Sequence, residues 1–492
     1  MAHSPAIDLG LLIARSRGAR PQVGSSSGAG GGAVGAAEST IMKVKVINRV
    51  EQRETGFERK GDLKQVRRNL NPELHPFERA VEYTRALNAA KLERVFAKPF
   101  VAALSGHTDG INCLARNPKR LNSLVSGSAS GELFLWDVPE RRAIYNYVGH
   151  KRAVKAVTVS DCGSLCFSCG DEGVVKMWRV PHAPLGGVTE TVNHHPVSSF
   201  DAGQVLRGID HHWKRPLFAT AGEKVEVWDH ERASPLHSFV WGADSVESVR
   251  FNPVESDIFT SCGNDRSIAL YDIRTGNPLH KLVMQTKTNS VAWNPIEAFN
   301  FTCANEDCCL YTYDMRRLDI AKMVHKDHVS AVLDVDYSPT GREFVSGSYD
   351  RSVRIFKYDG GHSRDVYHTK RMQRVFGVRF SGDGSYVFSA SDDMNVRIWK
   401  ARASQKMGTL LPREKSKQAY NAALVKRYGH MPEVKRITRH RHLPKAIYTT
   451  GKLRREVTES ERKKQLNRIK HSAPGSIKTK PARKKKIVTR LE

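Results

Sequence analysis

Seven cationic or imidazole side chains crowd the twelve positions of VKRITRHRHLPK, residues 434–445: Lys435, Arg436, Arg439, His440, Arg441, His442 and Lys445. Three chemistries use such groups: metal binding, proton transfer and the gripping of a polyanion. Zinc fits poorly, because His440 and His442 stand two apart with no cysteine nearby to complete a tetrahedral set. General acid–base work needs a positioned carboxylate, and the nearest in sequence are Glu433 and Glu456. Fixed guanidinium charges beside imidazoles suit phosphate oxygens and stacked bases, as RNA presents them. Arg468 and Lys470 in RKKQLNRIKH extend this chemistry toward the C-terminus. Further on, Arg483, Lys484, Lys485 and Lys486 in ARKKK have the composition of a nuclear import signal. A competing reading makes the basic run a solvated face that serves import alone. The apolar residues interleaved at 434–445 point instead to an ordered segment.

Charge is distributed unevenly. The formal net charge is +28 over 492 residues. Residues 401–492 hold 27 Lys/Arg against 6 Asp/Glu, and residues 42–100 hold 14 against 8. Between 101 and 400 the two signs balance at 35 each. A neutral middle with basic arms points to a polyanion bound by the arms, with nucleic acid the expected partner. No stretch approaches the roughly 18 apolar residues of a membrane span.

Residues 1–41 are rich in Gly, Ala and Ser and lack the basic n-region and long apolar core of a secretory signal. Their three arginines leave an organelle-transit reading open, although disorder is the expectation, since such sequence cannot offset its ordering entropy. Eight cysteines fit a reducing compartment. Cys162, Cys166 and Cys169 in DCGSLCFSCG have no ligand pair at finger spacing, so buried thiols are expected there.

The middle repeats. An aliphatic or β-branched alternation closes on an aromatic at Trp136, Trp178, Trp228, Tyr271, Tyr313, Phe356 and Trp399. The intervals are 42, 50, 43, 42, 43 and 43 residues, the period of a four-stranded propeller blade. The long interval holds PHAPLGGVTETVNHHPVSSFDAGQ, read as an extended loop after the second blade. His107, His150 and His328 open three units, and an acid stands six residues before the aromatic in five: Glu172, Asp265, Asp307, Asp350 and Asp393. Ser130 takes that place in the first unit. Such acids can hold turn amides and the opening histidine, which makes these groups structural rather than catalytic. From about residue 92 to 411 the chain resembles the WD-repeat family, and the expected fold class is all-β, a seven-bladed propeller with basic, partly helical extensions. The closing strand comes from either KPFVAALSGH or ASQKMGTLL. That family commonly serves as a scaffold, and no nucleophile–base set, phosphate loop or metal constellation is present, so no enzyme, cofactor or small-molecule substrate is expected.

The arms narrow the resemblance. RRNLNPELHPFERAVEYTRALNAAKLERVFAKPF precedes the ring, and PREKSKQAYNAALVKRYGHMPEVKRITRHRHLPKAIY follows it. With DHHWKRPLFAT and DHVSAVLDVDYSPTGREFVSGS, these stretches resemble the Sof-one-type WD-repeat proteins from Met42 to about Ser476. The resemblance implies a nucleolar protein of the small-subunit processome. Its implied partners are pre-ribosomal RNA, the U-three small nucleolar ribonucleoprotein and other processome proteins, and its implied task is 18S ribosomal RNA maturation. The expected segments are a leader (1–41), a basic arm (42–91), the propeller (92–411) and a helical tail (412–492). In the tail, Pro412 and Pro432 can each start a helix, Gly429 can stop the first, and Thr458 with Glu461 makes a capping-box signature.

YDIR (271–274) and YDMR (313–316) resemble the WD-x-Arg docking box of cullin ubiquitin-ligase substrate receptors. Asp272, Arg274, Asp314 and Arg316 are the residues this implies for contact with a ligase adaptor. Otherwise each Asp–Arg pair only braces its strand turn.

Overall fold

The computed structural model describes residues 71–181, 195–241, 245–477 and 479–491. The leader and most of the N-terminal arm therefore lie outside the described residues, as does the first part of the insertion after blade two.

Seven antiparallel sheets form the ring, each a meander from an innermost to an outermost strand. The repeating aromatic always falls on the third strand, and Trp136, Trp178, Trp228, Tyr271, Tyr313, Phe356 and Trp399 are all buried. A third strand is wedged between neighbouring blades, so both its faces are apolar: Val353, Ile355 and Phe356 are sealed alike. Burying each such ring stabilises the fold by roughly 2–3 kcal/mol. In an up-and-down blade the loops fall on two faces. Here the face where each innermost strand begins is the inlet face, and the opposite one is the outlet face.

Ring closure uses the N-terminal candidate. Phe100–Ser105 pairs antiparallel with Asn395–Lys400, and Ala102 and Leu104 point inward. The rival segment lacks that alternation and runs instead as a loop in which the Ala403 carbonyl accepts from the Lys98 amide at 3.1 Å. Two further expectations are corrected. The insertion is not loop throughout, because Ser198–Asp201 is the outermost strand of blade two. Blade four gains a fifth strand, Ile487–Leu491, paired with Pro278–Met284.

The blade histidines are structural. In blade two the Trp178 indole donates to Ser168 Oγ at 2.8 Å, and the same oxygen lies 2.7 Å from His150 Nε2. His150 Nδ1 lies 3.3 Å from Glu172, which also accepts the Arg152 amide at 3.2 Å. Blade six repeats this with Ser346, His328 and Asp350, Phe356 replacing the indole. In blade one the acid is displaced: Glu132, two residues beyond Ser130, accepts from the Thr108 hydroxyl at 3.0 Å and sits 4.0 Å from His107 Nδ1. The buried serines are the missing middle of each network.

The acid also solves a backbone problem. Five residues before the aromatic the chain turns left-handed in six blades, at Gly131, Gly173, Arg266, Cys308, Arg351 and Met394. A side chain there costs on the order of 1–2 kcal/mol relative to glycine. Asp265, Asp307 and Asp350 offset that cost by accepting the backbone N–H two residues on, at 3.0, 3.1 and 3.0 Å.

Burial holds His107 and His150 neutral, each pushed down to about 4 from the usual 6.5. The unfolded chain therefore takes up protons between those values while the folded ring does not, and stability falls as pH drops through that window. Linkage sets an upper bound of roughly 3 kcal/mol for each histidine. The melting temperature is expected to fall steadily from pH 7 to pH 4.5. His150→Gln, which keeps a donor and an acceptor, should flatten the slope; an unchanged slope in scanning calorimetry would contradict this assignment.

Candidate nucleic-acid and protein interfaces

Four helices carry the arms: α1 (Glu78–Val95), α2 (Pro412–Arg427), α3 (Pro432–Arg439) and α4 (Lys445–Lys470). Pro412 and Pro432 stand at the first turns of α2 and α3, where a missing N–H costs nothing. Helix α1 runs across the expected boundary at residue 91. The capping-box expectation fails: Thr458 lies inside α4, its hydroxyl donating back to the Arg454 carbonyl at 2.9 Å, and the helix starts after Pro444.

The two arms fold on each other. Ala86, Ala89 and Ala90 give α1 a buried face of small residues, against which α2 and α3 pack through Leu424 and Val434. Polar contacts fix the register. The Tyr428 hydroxyl donates to Glu82 at 2.8 Å, Arg427 lies 3.1 Å from the same oxygen, and the Tyr83 hydroxyl donates to Glu433 at 3.0 Å. The Tyr428 hydrogen bond, with Arg427 beside it, holds the Glu82 carboxyl below its ordinary range. Arg94 ties this helical cluster to blade six, 3.5 Å from Asp365. None of these arm-to-arm contacts is visible in the basic pattern that drew attention to the tail.

The predicted polyanion-binding residues separate into two patches. Lys435, Arg436, Arg439, His440 and Lys445 are exposed on or beside α3. Arg441 turns inward and donates to the carbonyls of Thr438 (2.6 Å) and His440 (3.0 Å). Burial, with Arg94 nearby, pulls its guanidinium below the ordinary range. His442 stacks on His368 at 5.7 Å, and its carbonyl lies 3.1 Å from His368 Nε2. His442 thus docks the tail to the ring, while Arg441 braces the end of α3. Arg468 and Lys470 form the second patch, at the far end of α4, about 38 Å from Lys445 at 1.5 Å per residue.

Among the described residues, helix α4 is anchored only over its first part. Ile447 is buried, and Arg454 reaches the inlet face, 3.3 Å from the His328 carbonyl and 3.1 Å from Cys308 Sγ. Residues 455–470 are exposed on every side. A helix exposed on all sides, with Val457, Leu466 and Ile469 open to solvent, is suited to a partner rather than to the fold.

The remaining predicted residues lie elsewhere. Arg483, Lys484 and Lys485 are exposed, while the Arg483 and Lys486 carbonyls accept from the Ala321 and Gln285 amides, which holds this segment against blades four and five. Arg274 and Arg316 sit in outlet-face turns of the same two blades. Each backbone N–H donates to its own aspartate, Asp272 or Asp314, at 2.9 and 3.0 Å, so the strand turns are braced. Their guanidiniums remain 69 % and 62 % exposed. Arg316 also lies 4.1 Å over the Phe299 ring. Of the three clustered cysteines, Cys166 and Cys169 are buried as expected, but Cys162 is exposed on a turn. Among the described residues no group of three or more His, Cys, Asp or Glu side chains is placed to hold a metal ion.

Seven four-stranded blades, three of them with a buried His–Ser pair beside an acid, define a WD-repeat propeller, and the model of the WD domain, G-beta repeat, matches residues 98–137, 141–179, 321–357 and 361–400. The Sof1-like domain model matches residues 401–487, which takes in all three tail helices. DDB1- and CUL4-associated factor 13 of Xenopus laevis is 51 % identical over 92 % of this chain and 100 % of its own length. Its Homo sapiens counterpart is 50 % identical over 91 % and 99 %, and Protein SOF1 of Saccharomyces cerevisiae is 43 % identical over 85 % and 94 %. The chain belongs to the Sof1-like WD-repeat family.

The helical cluster depends on Val434, which is fully buried where α3 meets α1. Val434→Asp places an unpaired carboxylate there and should cost several kcal/mol locally. Hydrogen exchange across residues 412–439 is expected to rise steeply while the propeller strands keep their protection. Uniform loss of protection would show that the cluster and the ring unfold together.

Proposed function

We propose that this protein is a non-enzymatic scaffold of the nucleolar small-subunit processome, acting in pre-ribosomal RNA processing and 18S ribosomal RNA maturation. One observation carries the reading: exposed cations are concentrated on an ordered, family-specific tail, while the ring beside it is electrically neutral. Lys435, Arg436, Arg439, His440 and Lys445 form one contact for RNA or ribonucleoprotein, and Arg468 and Lys470 a second. The propeller contributes protein-binding faces. Similarity to Protein SOF1 over 85 % of the chain supports the assignment, together with the sequence resemblance to the Sof-one-type proteins. A nuclear and nucleolar location follows, with Arg483, Lys484, Lys485 and Lys486 as the import signal.

Each phosphate contact contributes a slope of about −0.9 to log K against log salt on a duplex, and about −0.7 on a single strand. Lys435→Glu/Arg436→Glu/Arg439→Glu should weaken binding to a structured pre-ribosomal RNA fragment and lower the slope by roughly two to three units. Arg441→Gln should change melting more than slope. RNA crosslinks that persist undiminished in the triple variant would remove this patch from the contact.

A second reading has its own observation. Arg274 and Arg316 are exposed on adjacent blades of the outlet face, whereas α4 meets the inlet face. A ligase adaptor on one face and a ribosomal precursor at the other need not compete. The vertebrate relatives are named for association with DDB1 and CUL4, so DDB1 is the adaptor to test. Arg274→Ala/Arg316→Ala should abolish DDB1 pull-down and leave RNA affinity unchanged. Retained pull-down would reduce these pairs to turn braces.

A further inference from the structure

Helix α1 wears its apolar residues on both sides. The alanine side is covered by α2 and α3. The other side carries Phe77, Val81, Leu92, Val95 and Phe96, which are 76, 40, 51, 72 and 66 % exposed. At 3.6 residues per turn these five side chains fall in one sector about 100° wide, and the buried alanines are centred roughly 120° round the helix. From Phe77 to Phe96 the row is about 29 Å long at 1.5 Å per residue. Scattered surface apolar residues need no account, but apolar clusters at both ends of one face of a helix mark a contact surface.

Shape and charge identify the occupant. A straight ridge with bulk at both ends and small polar residues, Thr84 and Asn88, in its middle is the complement of another helix packed lengthwise. Arg85 and Lys91 lie on opposite sides of the row's midline, and neither has a carboxylate within ion-pair distance among the described residues. A second copy of the chain would bring two such basic clusters together. We infer that the exposed face of α1 docks an amphipathic helix of a partner protein whose apolar seam is bordered by carboxylates. This surface is separate from the proposed RNA contacts and does not rest on them.

The test uses the full chain and two synthetic helical peptides of about 24 residues, long enough to cover the row. Both carry leucines on one face; glutamates border the seam in one and lysines in the other. Fluorescence anisotropy at physiological salt should show binding of the glutamate peptide only. Leu92→Asp, on an exposed position and with melting unchanged, should weaken it about tenfold or more, some 1.4 kcal/mol. Arg85→Glu/Lys91→Glu should reverse the preference toward the lysine peptide. Equal binding of both peptides, or of neither, overturns the proposal. So does a wild-type chain that sediments as a dimer and is split by Leu92→Asp, since the occupant is then a second copy.

Discussion

One strand pairing governs the molecule. Phe100–Ser105 against Asn395–Lys400 completes blade seven with a segment from before blade one, and so joins parts of the chain separated by almost the whole ring. Without it the seventh sheet would lack its outermost strand and the ring its seam. The pairing also decides where the arms meet. Helix α1 leads directly into the closing strand, and the tail leaves directly from its partner, so the two extensions emerge side by side. Their clasp through Glu82, Tyr83, Tyr428 and Glu433 is a consequence of closure.

Inside the ring, the same few polar groups perform two tasks. Glu172 and Asp350 orient a buried neutral imidazole, and Asp265, Asp307 and Asp350 hold a left-handed turn residue in place. The turns therefore tolerate Arg266, Cys308 and Arg351 where glycine would be easier. At Met394 the preceding Asp393 instead accepts from the Arg397 side chain at 2.9 Å.

The seven aromatics were legible because a third strand sealed on both faces is apolar at most positions, with a few buried polar residues such as Arg354 and Arg397, and the period exposes it. The helix starts at Pro412 and Pro432 were legible for an equally local reason. What failed was non-local. Ser168 and Ser346 give no signal until the fold brings them to a histidine, and Glu132 does the work expected at Ser130 because a carboxylate two residues along still reaches the loop. Ser198–Asp201 and Ile487–Leu491 are too short to stand out before an edge is present to pair with them. Thr458 and Glu461 match a capping box, yet an uninterrupted helix-forming run around them lets the helix start earlier. Charge alone could not separate Arg441, which is half-buried, from Arg439, which faces solvent.

The fifth strand of blade four imposes an order on synthesis. Blade four's own four strands can assemble once residue 284 has left the ribosome, but their outer edge stays uncovered through roughly two hundred further codons. Lys281, Leu282, Val283 and Met284 gain their last backbone partners only when residues 487–491 have emerged. Until then that edge is open to other strands, and the arrival of this distant segment is the event that closes it.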